Sequence, residues 1–238
     1  MPEQAAVTLV LLHGRGHDPA SMQALADRLA LPDVACVAPG APGGSWYPER
    51  FIEPRAANEP HLGAAHATAH AALDDLEARG IPSARIVLGG FSQGACLACD
   101  VLAARPRPVG ALAALCGGLV GSGPQEWPRP APGSLAGLPV LLTGTEEDAW
   151  VPVDRVRDTA EVLRAAGAAV DLRVSPPAPH EVHPEEVAHQ RLRPPPLPLE
   201  VARADEPDVP VPGWPGHVPE GTGGWSRATA IPAASGSS

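Results

Sequence analysis

The chain has 238 residues, a formal net charge of -10 and 44% hydrophobic residues, enough to bury one sizeable core. The acidic balance and the lack of a basic patch with interleaved aromatics argue against nucleic-acid binding. No apolar run approaches the roughly 20 residues that a membrane helix needs, and the N-terminus lacks the features of a signal peptide. We therefore expect a cytoplasmic protein without integral membrane association.

The first predicted elements alternate as strand, helix and strand. Residues 7–12 form an apolar run typical of a buried parallel strand, which ends at His13-Gly14-Arg15-Gly16. Asp18-Pro19 predicts a helix start, with the aspartate as cap and the proline at the first helical position, and this helix continues to Leu29. Residues 34–38 are predicted as the next strand.

A long irregular segment, residues 39–63, concentrates aromatic side chains in a chain with only 3% of them. Long loops inside compact domains are usually functional. We predict that Trp46, Tyr47 and Phe51 form a wall of a substrate pocket. The alternative is that these aromatics pin the loop to the core.

The next predicted helix, residues 62–79, ends before Gly80 and carries His66 and His70 one turn apart. Two such histidines can bind a metal ion together. No third ligand is in register with them, so an exposed or half-buried helix face is the favoured interpretation.

The stretch from Arg85 to Asp100 has the pattern of a strand, a tight turn and an apolar helix. Its centre, Gly90-Phe91-Ser92-Gln93-Gly94, fits G-x-S-x-G, the nucleophile elbow, in which a strained turn lifts a serine hydroxyl above the strand end. A side chain at either glycine would collide with the neighbouring strand or helix. An ordinary turn capped by Ser92 would explain the serine but not both glycines.

Each of the four cysteines lies within an apolar segment. Cys96 and Cys99 have CxxC spacing, but no second pair completes a zinc site. We expect buried thiols, no metal and no cofactor. The complete set is Cys36, Cys96, Cys99 and Cys116.

The rest of the chain continues the alternation, with a Pro/Gly-rich loop at residues 117–137 that we expect to cover the site. An acidic loop, residues 144–152, follows a predicted strand, where functional residues of open α/β sheets collect. The predicted elements are strands at 109–116, 139–143 and 170–174, helices at 95–104 and 153–166, and a short helix ending near Leu192.

The composition changes after Leu192, where a Pro/Gly/Ser-rich stretch without helical or strand periodicity begins. We predict a catalytic domain at residues 1–192 and a disordered or loosely tethered tail at 193–238. A non-native C-terminus produced by a frameshift is the alternative.

Strand and helix alternation predicts a mostly parallel sheet with helices on both faces, and loops bearing Ser92, an acid and a histidine would open on one edge. Serine, acid, histidine is the order of the α/β-hydrolases, in which a carboxylate orients the imidazole that activates the serine. We favour Asp148 over its neighbours Glu146 and Glu147 because it directly precedes Ala-Trp-Val-Pro and a helix. Spacing alone does not decide between His180 and His183.

Together these motifs resemble the phospholipase/carboxylesterase family of serine hydrolases, which includes bacterial carboxylesterases and acyl-protein thioesterases. The resemblance implies an α/β-hydrolase fold, and no insertion large enough for a cap domain is visible. The matching stretches are 12–16, 43–48, 58–60, 90–94, 148–152, 180–182 and 185–186.

The resemblance favours His180 as the catalytic histidine, because the family has His-x-Ile/Val followed by Pro-Glu-Glu, although Pro179 replaces the usual preceding glycine. It also implies an oxyanion hole formed by the backbone N–H groups of Arg15 and Gln93.

The expected function is cofactor-independent hydrolysis of a small-molecule ester or thioester, through an acyl-enzyme on Ser92. Without a large cap, short or medium acyl chains are favoured. Acyl-protein thioesterase or lysophospholipase activity is the alternative, followed by a catalytically silent binding module. The oligomeric state is left open, with a homodimer among the alternatives.

Overall fold

The computed structural model describes residues 5–29, 33–182 and 228–229. The helices are Pro19–Leu29 (α1), Arg55–Asn58 (α2), His61–Ala78 (α3), Gln93–Ala104 (α4) and Val153–Ala165 (α5). The strands are Val7–Leu12 (β1), Val34–Val37 (β2), Ile86–Phe91 (β3), Ala111–Leu115 (β4), Pro139–Thr145 (β5), Ala169–Ser175 (β6) and Ala228–Thr229 (β7).

Seven strands form one sheet in the order β6-β5-β4-β3-β1-β2-β7. All six strand pairings are parallel, with β1 between β3 and β2. The mostly parallel sheet predicted from the alternation is therefore confirmed. Apart from Ala228–Thr229, the predicted tail lies outside the described residues, as do His183 and the short helix ending near Leu192.

Strand β1 shows how the two faces of the sheet are covered. Its side chains alternate, because successive residues of a strand point to opposite faces. Leu9 and Leu11 pack in one buried cluster with residues of α1. Val10 and Leu12 belong to the other cluster, which also contains buried residues of α3, α4 and α5. Helices thus cover both faces, and each fully buried aliphatic side chain contributes about 2 kcal/mol.

Two loops differ from their predicted form. The segment 39–63 is not wholly irregular, since it contains a 3-10 turn at Pro42–Gly44 and the short helix α2. The loop 117–137 does not line the cavity beside the elbow. Its apolar side chains Leu119, Val120 and Trp127 are instead buried in the core, which ties this loop to the body of the domain.

The parallel sheet places four functional segments on one edge. The carboxyl ends of β1, β3, β5 and β6 lead into the segments that contain Arg15, Ser92, Asp148 and His180, respectively. In a parallel sheet these ends all lie on the same side. None of the described helices is both long and apolar enough to cross a membrane.

Candidate active site

The turn between β3 and α4 holds Ser92 in an unusual backbone conformation, with φ 53° and ψ -118°. Positive φ in a non-glycine residue is strained and persists only when neighbours enforce it. Here the Ser92 N–H donates to the Leu115 carbonyl at 2.9 Å, and the Ser92 carbonyl accepts from Cys96 N–H at 2.9 Å. Its hydroxyl makes no helix-capping hydrogen bond, which leaves it available to the site.

The two glycines of the elbow allow the turn to pack directly against β1. A Cβ at Gly90 would lie 2.6 Å from the Leu12 carbonyl oxygen and 2.6 Å from the carbonyl carbon of Gly94. A Cβ at Gly94 would collide with that same Leu12 oxygen. The close approach of the backbone segments thus explains why both positions are glycine. An ordinary turn capped by Ser92 would not require glycine at either position.

Ser92, His180 and Asp148 form a hydrogen-bonded chain. His180 Nε2 lies 2.7 Å from Ser92 Oγ, and His180 Nδ1 lies 2.6 Å from Asp148 Oδ2. The Asp148 side chain is fully buried, and its other oxygen accepts the backbone N–H groups of Trp150 at 2.8 Å and Val151 at 2.9 Å. This carboxylate can hold the Nδ1 proton, so that Nε2 presents its lone pair to the serine hydroxyl.

The neighbouring acids occupy different positions. Glu146 pairs with Arg157 at 3.0 Å on the surface, and Glu147 is exposed. Asp148 alone among the three acids contacts His180. Of the three, Asp148 is therefore the acid that we propose for a catalytic role.

Two further residues hold the His180 loop, and sequence reasoning did not identify them. Thr145 Oγ1 donates to the Pro176 carbonyl at 2.8 Å and accepts from Ala178 N–H at 3.1 Å. The Phe91 ring lies 5.2 Å from the His180 ring, between their centroids. Phe91 occupies a variable position of the elbow motif, and a threonine at a strand end has no distinctive pattern.

The backbone N–H groups of Arg15 and Gln93 are the candidate oxyanion donors. Gln93 is the first residue of α4, so its N–H has no acceptor within the helix and lies at the positive end of the helix dipole. Neither N–H donates to an acceptor in the parts of the chain that the structure describes. The turn before Arg15 lies against the serine, since a Cβ at Gly14 would be 3.5 Å from Ser92 Cβ.

A buried histidine shapes the turn that precedes Arg15. His13 Nδ1 lies 2.8 Å from the Gly14 carbonyl oxygen, and its Nε2 lies 3.0 Å from the Ala41 N–H group, which donates to it. One donating and one accepting nitrogen define a neutral imidazole. Burial lowers the pKa of His13 and so favours this neutral form.

The segment 45–49 is hydrogen-bonded to the side chains of Arg15 and Gln93, the two candidate oxyanion residues. Gln93 Oε1 accepts the Trp46 N–H at 3.0 Å, and Gln93 Nε2 donates to the Tyr47 carbonyl at 2.8 Å. The Arg15 guanidinium donates to the carbonyls of Tyr47, Pro48 and Glu49 at 3.0, 2.6 and 2.6 Å, respectively. These contacts fix the loop to both sides of the site.

A cavity of about 890 Å³ lies beside Ser92 and extends along α1. Tyr47 and Phe51 line it as predicted for a pocket wall, but Trp46 does not. Trp46 is only 3% exposed, and its indole N–H donates to the His13 carbonyl at 2.8 Å. Trp150, which is 60% exposed, lines the mouth instead.

The thiol of Cys96 also lines this cavity. Burial raises its pKa to about 12, so the thiol is protonated at neutral pH and does not compete with Ser92 as a nucleophile. Cys99, the other half of the CxxC spacing, is fully buried. All four cysteines are buried and none forms a disulfide.

In the described ranges, one group of three side chains offers metal-ligating atoms within 4.8 Å of one another: Cys116, Asp148 and His180. The contact between His180 and Asp148 measures 2.6 Å. Two such ligands of one tetrahedral zinc ion would be about 3.3 Å apart, given bonds of about 2.0 Å. The spacing fits a hydrogen bond better than a shared metal ion.

The histidine pair on α3 does not converge on a common ligand position. His66 Nε2 bonds Asp100 Oδ2 at 2.8 Å, whereas His70 is buried. Asp100 is itself fully buried and pairs with Arg55 through two contacts of 2.7 and 2.9 Å. This network connects α2 and α3 to the helix that carries the elbow.

The profile of the phospholipase/carboxylesterase family matches residues 2–191. A phospholipase/carboxylesterase from Dyadobacter fermentans is 34% identical, with a TM-score of 0.72 over 79% of this chain and 88% of its own. A carboxylesterase from Mesorhizobium loti is 27% identical, with a TM-score of 0.64 over 79% and 88%. Acyl-protein thioesterase 2 from Zea mays, at 21% identity, shares the fold with a TM-score of 0.58 over 77% and 90%.

The parallel sheet, the elbow and these similarities define an α/β-hydrolase without a cap inserted in residues 33–182. The chain belongs to the phospholipase/carboxylesterase family and is a carboxylester hydrolase. The resemblance inferred from its motifs is confirmed.

Proposed function

We propose that this protein hydrolyses carboxylic esters of short or medium acyl chain length through an acyl-enzyme on Ser92. The observation that carries the proposal is the continuous hydrogen-bonded chain from Ser92 Oγ through His180 to Asp148, with contacts of 2.7 and 2.6 Å. A hydroxyl becomes a useful nucleophile when a neighbouring imidazole accepts its proton. The strained turn presents that hydroxyl at the edge of the cavity.

In the first half-reaction Ser92 Oγ attacks the ester carbonyl carbon while its proton passes to His180 Nε2. The negative charge on the carbonyl oxygen is stabilised by the N–H groups of Arg15 and Gln93, each worth roughly 3 kcal/mol in comparable sites. The tetrahedral intermediate then expels the alcohol, which takes the proton from His180. The acyl group is left as an ester of Ser92.

In the second half-reaction water attacks the acyl-enzyme and gives its proton to His180. Collapse of this intermediate releases the carboxylic acid and returns the proton to Ser92. Asp148 keeps the imidazole in the required tautomer and stabilises its cationic form in both halves. The two backbone N–H groups that donate to Asp148 hold its carboxylate in place beside His180.

The form of the cavity supports a short or medium acyl chain. It is open beside α1, and residues 33–182 contain no inserted cap that would enclose a long lipid chain. Tyr47 and Phe51 supply apolar wall on the inner side. Thioesters and lysophospholipids would use the same chemistry and are tested as alternative substrates.

The experiment is hydrolysis of p-nitrophenyl esters graded from acetate to palmitate by the wild type and by Ser92→Ala. We expect wild-type turnover with an optimum at short or medium chains, and loss of turnover in the variant. Unchanged turnover in Ser92→Ala would contradict the mechanism. An optimum at palmitate, or turnover only of thioesters or lysophospholipids, would overturn the proposed substrate class.

Active-site labelling separates a specialised enzyme from a silent one. A fluorophosphonate probe should label the wild type and leave Ser92→Ala unlabelled. Folded wild-type protein that is neither labelled nor active on any ester would rule out the proposed nucleophile.

A further inference from the structure

The described lining of the cavity beside Ser92 is basic, whereas the chain as a whole is acidic. The chain carries 27 acidic and 17 basic residues. Among the described residues that line the cavity, however, three are arginines, Arg15, Arg28 and Arg50, and one is an acid, Glu181. A cleft lined by one sign of charge concentrates ligands of the other sign, because its low-dielectric walls focus the field.

These three arginines are not neutralised by a neighbouring carboxylate among the described residues. Within residues 5–29 and 33–182, none of the three forms an ion pair with a carboxylate. Among the other arginines in the same ranges, pairing with a carboxylate is common. The paired arginines are Arg55, Arg79, Arg107, Arg157, Arg164 and Arg173.

Arg15 and Arg50 differ in how many donors are already used. The Arg15 guanidinium donates to three loop carbonyls at 2.6 to 3.0 Å, so it has a structural task. Arg50 donates only from Nη2, to the carbonyls of Ala149 and Trp150, and both distances are 3.4 Å. Such distances are at the weak end of hydrogen bonding. In the described part of the chain, Nη1 and Nε of Arg50 have no acceptor.

Arg50 contacts the loop that follows Asp148. Its contact partner Trp150 donates its own N–H to Asp148 at 2.8 Å, and Asp148 contacts His180. The guanidinium is therefore next to the loop that carries Asp148, and Arg50 and the exposed Trp150 both line the cavity. Arg28, by contrast, lies in the last turn of α1, at the opposite end of that helix from the site.

We propose that this cavity selects esters that carry a carboxylate group, and that Arg50 binds this carboxylate at the mouth. The inference rests on the proposed esterase function and specifies its substrate class. Guanidinium and carboxylate pair through two parallel hydrogen bonds, which fix the substrate as well as attract it. Arg15 and Arg28 add to the positive field that draws the anion into the cavity.

The test compares esters that differ only in charge. One pair is p-nitrophenyl hydrogen adipate and p-nitrophenyl hexanoate, in which the charge is on the acyl part. The other is 4-carboxyphenyl butyrate and the butyrate ester of methyl 4-hydroxybenzoate, in which it is on the alcohol. Each kcat/KM is divided by the rate of alkaline hydrolysis of the same ester, which corrects for intrinsic reactivity. The readout is the ratio of this normalised kcat/KM for the charged ester to that for the neutral ester.

We expect the wild type to favour the charged ester in at least one pair. Arg50→Gln should lower that ratio by about fivefold, the upper end for an exposed ion pair. Arg50→Lys should restore part of it. Arg105→Gln is the matched control, because Arg105 is exposed, lacks a carboxylate partner in the described ranges and lies at the far end of α4.

Added salt provides a second readout, since it screens exposed charges. The wild-type ratio should fall as sodium chloride rises, and the Arg50→Gln ratio should change little. Wild-type ratios near one in both pairs would overturn the inference. Normal hydrolysis of the neutral esters in the same experiment would still support the proposed esterase function. Equal loss of the ratio in Arg105→Gln would also overturn it. Failure of the esterase itself would instead appear as no Ser92-dependent hydrolysis of any ester.

Discussion

The indole N–H of Trp46 donates a 2.8 Å hydrogen bond to the backbone carbonyl of His13, across 33 positions of sequence. The rings of the two residues also lie 4.9 Å apart. His13 immediately precedes the turn that carries the Arg15 N–H. Trp46 therefore holds the turn that carries Arg15, whose N–H is a proposed oxyanion donor.

Replacing Trp46 with phenylalanine keeps the buried ring but removes its N–H. The His13 carbonyl is left without this donor in a buried position, which costs about 1 to 3 kcal/mol of unfolding free energy. Because the Arg15 N–H is then held less firmly, we expect kcat to fall roughly tenfold with little change in KM. Steady-state kinetics on the preferred p-nitrophenyl ester and urea unfolding measure both effects.

Trp127→Phe is the matched control for this change. Trp127 is also buried and donates its indole N–H, but its acceptor is the Gly121 carbonyl at 3.4 Å and not a residue beside Arg15. It should lose stability without loss of kcat. A raised KM with unchanged kcat in Trp46→Phe would show that Trp46 acts on substrate binding after all.

Asp148→Asn tests whether this carboxylate orients His180, the proposed catalytic histidine. The amide is nearly the same size as the carboxylate but neutral, so it no longer stabilises the His180 cation or holds the Nδ1 proton. We expect kcat to fall by about 10⁴-fold at neutral pH, with KM nearly unchanged. Glu146→Gln, which changes a surface acid paired with Arg157, should retain wild-type turnover. A similar loss in both variants would contradict a specific role for Asp148.

The sequence predicted those site features that depend on chain order and local pattern. The elbow is local, and the parallel sheet brings the ends of β3, β5 and β6 together, so Ser92 and Asp148 could be proposed from local pattern. The preference for His180 over His183 came only from the family resemblance. The direction in which Trp46 points could not be read. The sequence pattern of an aromatic residue in a loop is the same whether its side chain lines a cavity or is buried in the core. The hydrogen-bond acceptor of Trp46 is a backbone carbonyl, which no sequence pattern identifies.

The buried pair of Arg55 and Asp100 was missed for a similar reason. The two residues are 45 positions apart, on α2 and α4, and neither belongs to a periodic pattern. An isolated aspartate in an apolar helix shows that some partner is needed, because a buried charge is costly alone. It does not show which of the chain's arginines provides it.

Asp100→Asn should destabilise the fold through this pair. Asp100 is fully buried and accepts from Arg55, His66 and the Val120 N–H. Removing the charge leaves the partly buried guanidinium without its counterion, and we expect a loss of roughly 2 to 3 kcal/mol in unfolding free energy. Urea unfolding followed by circular dichroism measures it.

Asp74→Asn provides the comparison for that loss. Asp74 pairs with Arg107 at 2.6 Å, but its side chain is 63% exposed. Solvent screens such a pair, so the cost should be below about 1 kcal/mol. Equal losses in the two aspartate variants would show that burial of Asp100 does not determine the energy of its pair.

His70→Leu should make stability less sensitive to acid. His70 is buried, and its Nδ1 has no hydrogen-bond partner in the described part of the chain. Burial, followed by the charges of Arg105 and Arg107, lowers the pKa of this imidazole in the folded state. Below the usual histidine pKa of about 6.5 the unfolded chain therefore binds a proton that the folded chain does not.

Proton binding to the unfolded chain lowers the free energy of unfolding as pH falls from 7 to 5, and removing His70 removes this contribution. The decline in stability should be shallower in His70→Leu than in the wild type, measured by urea unfolding at pH 7, 6 and 5. His61→Gln is the control, because His61 is exposed at the start of α3, and it should keep the wild-type slope. Identical slopes in His70→Leu and the wild type would mean that His70 is protonated equally in the folded and unfolded states.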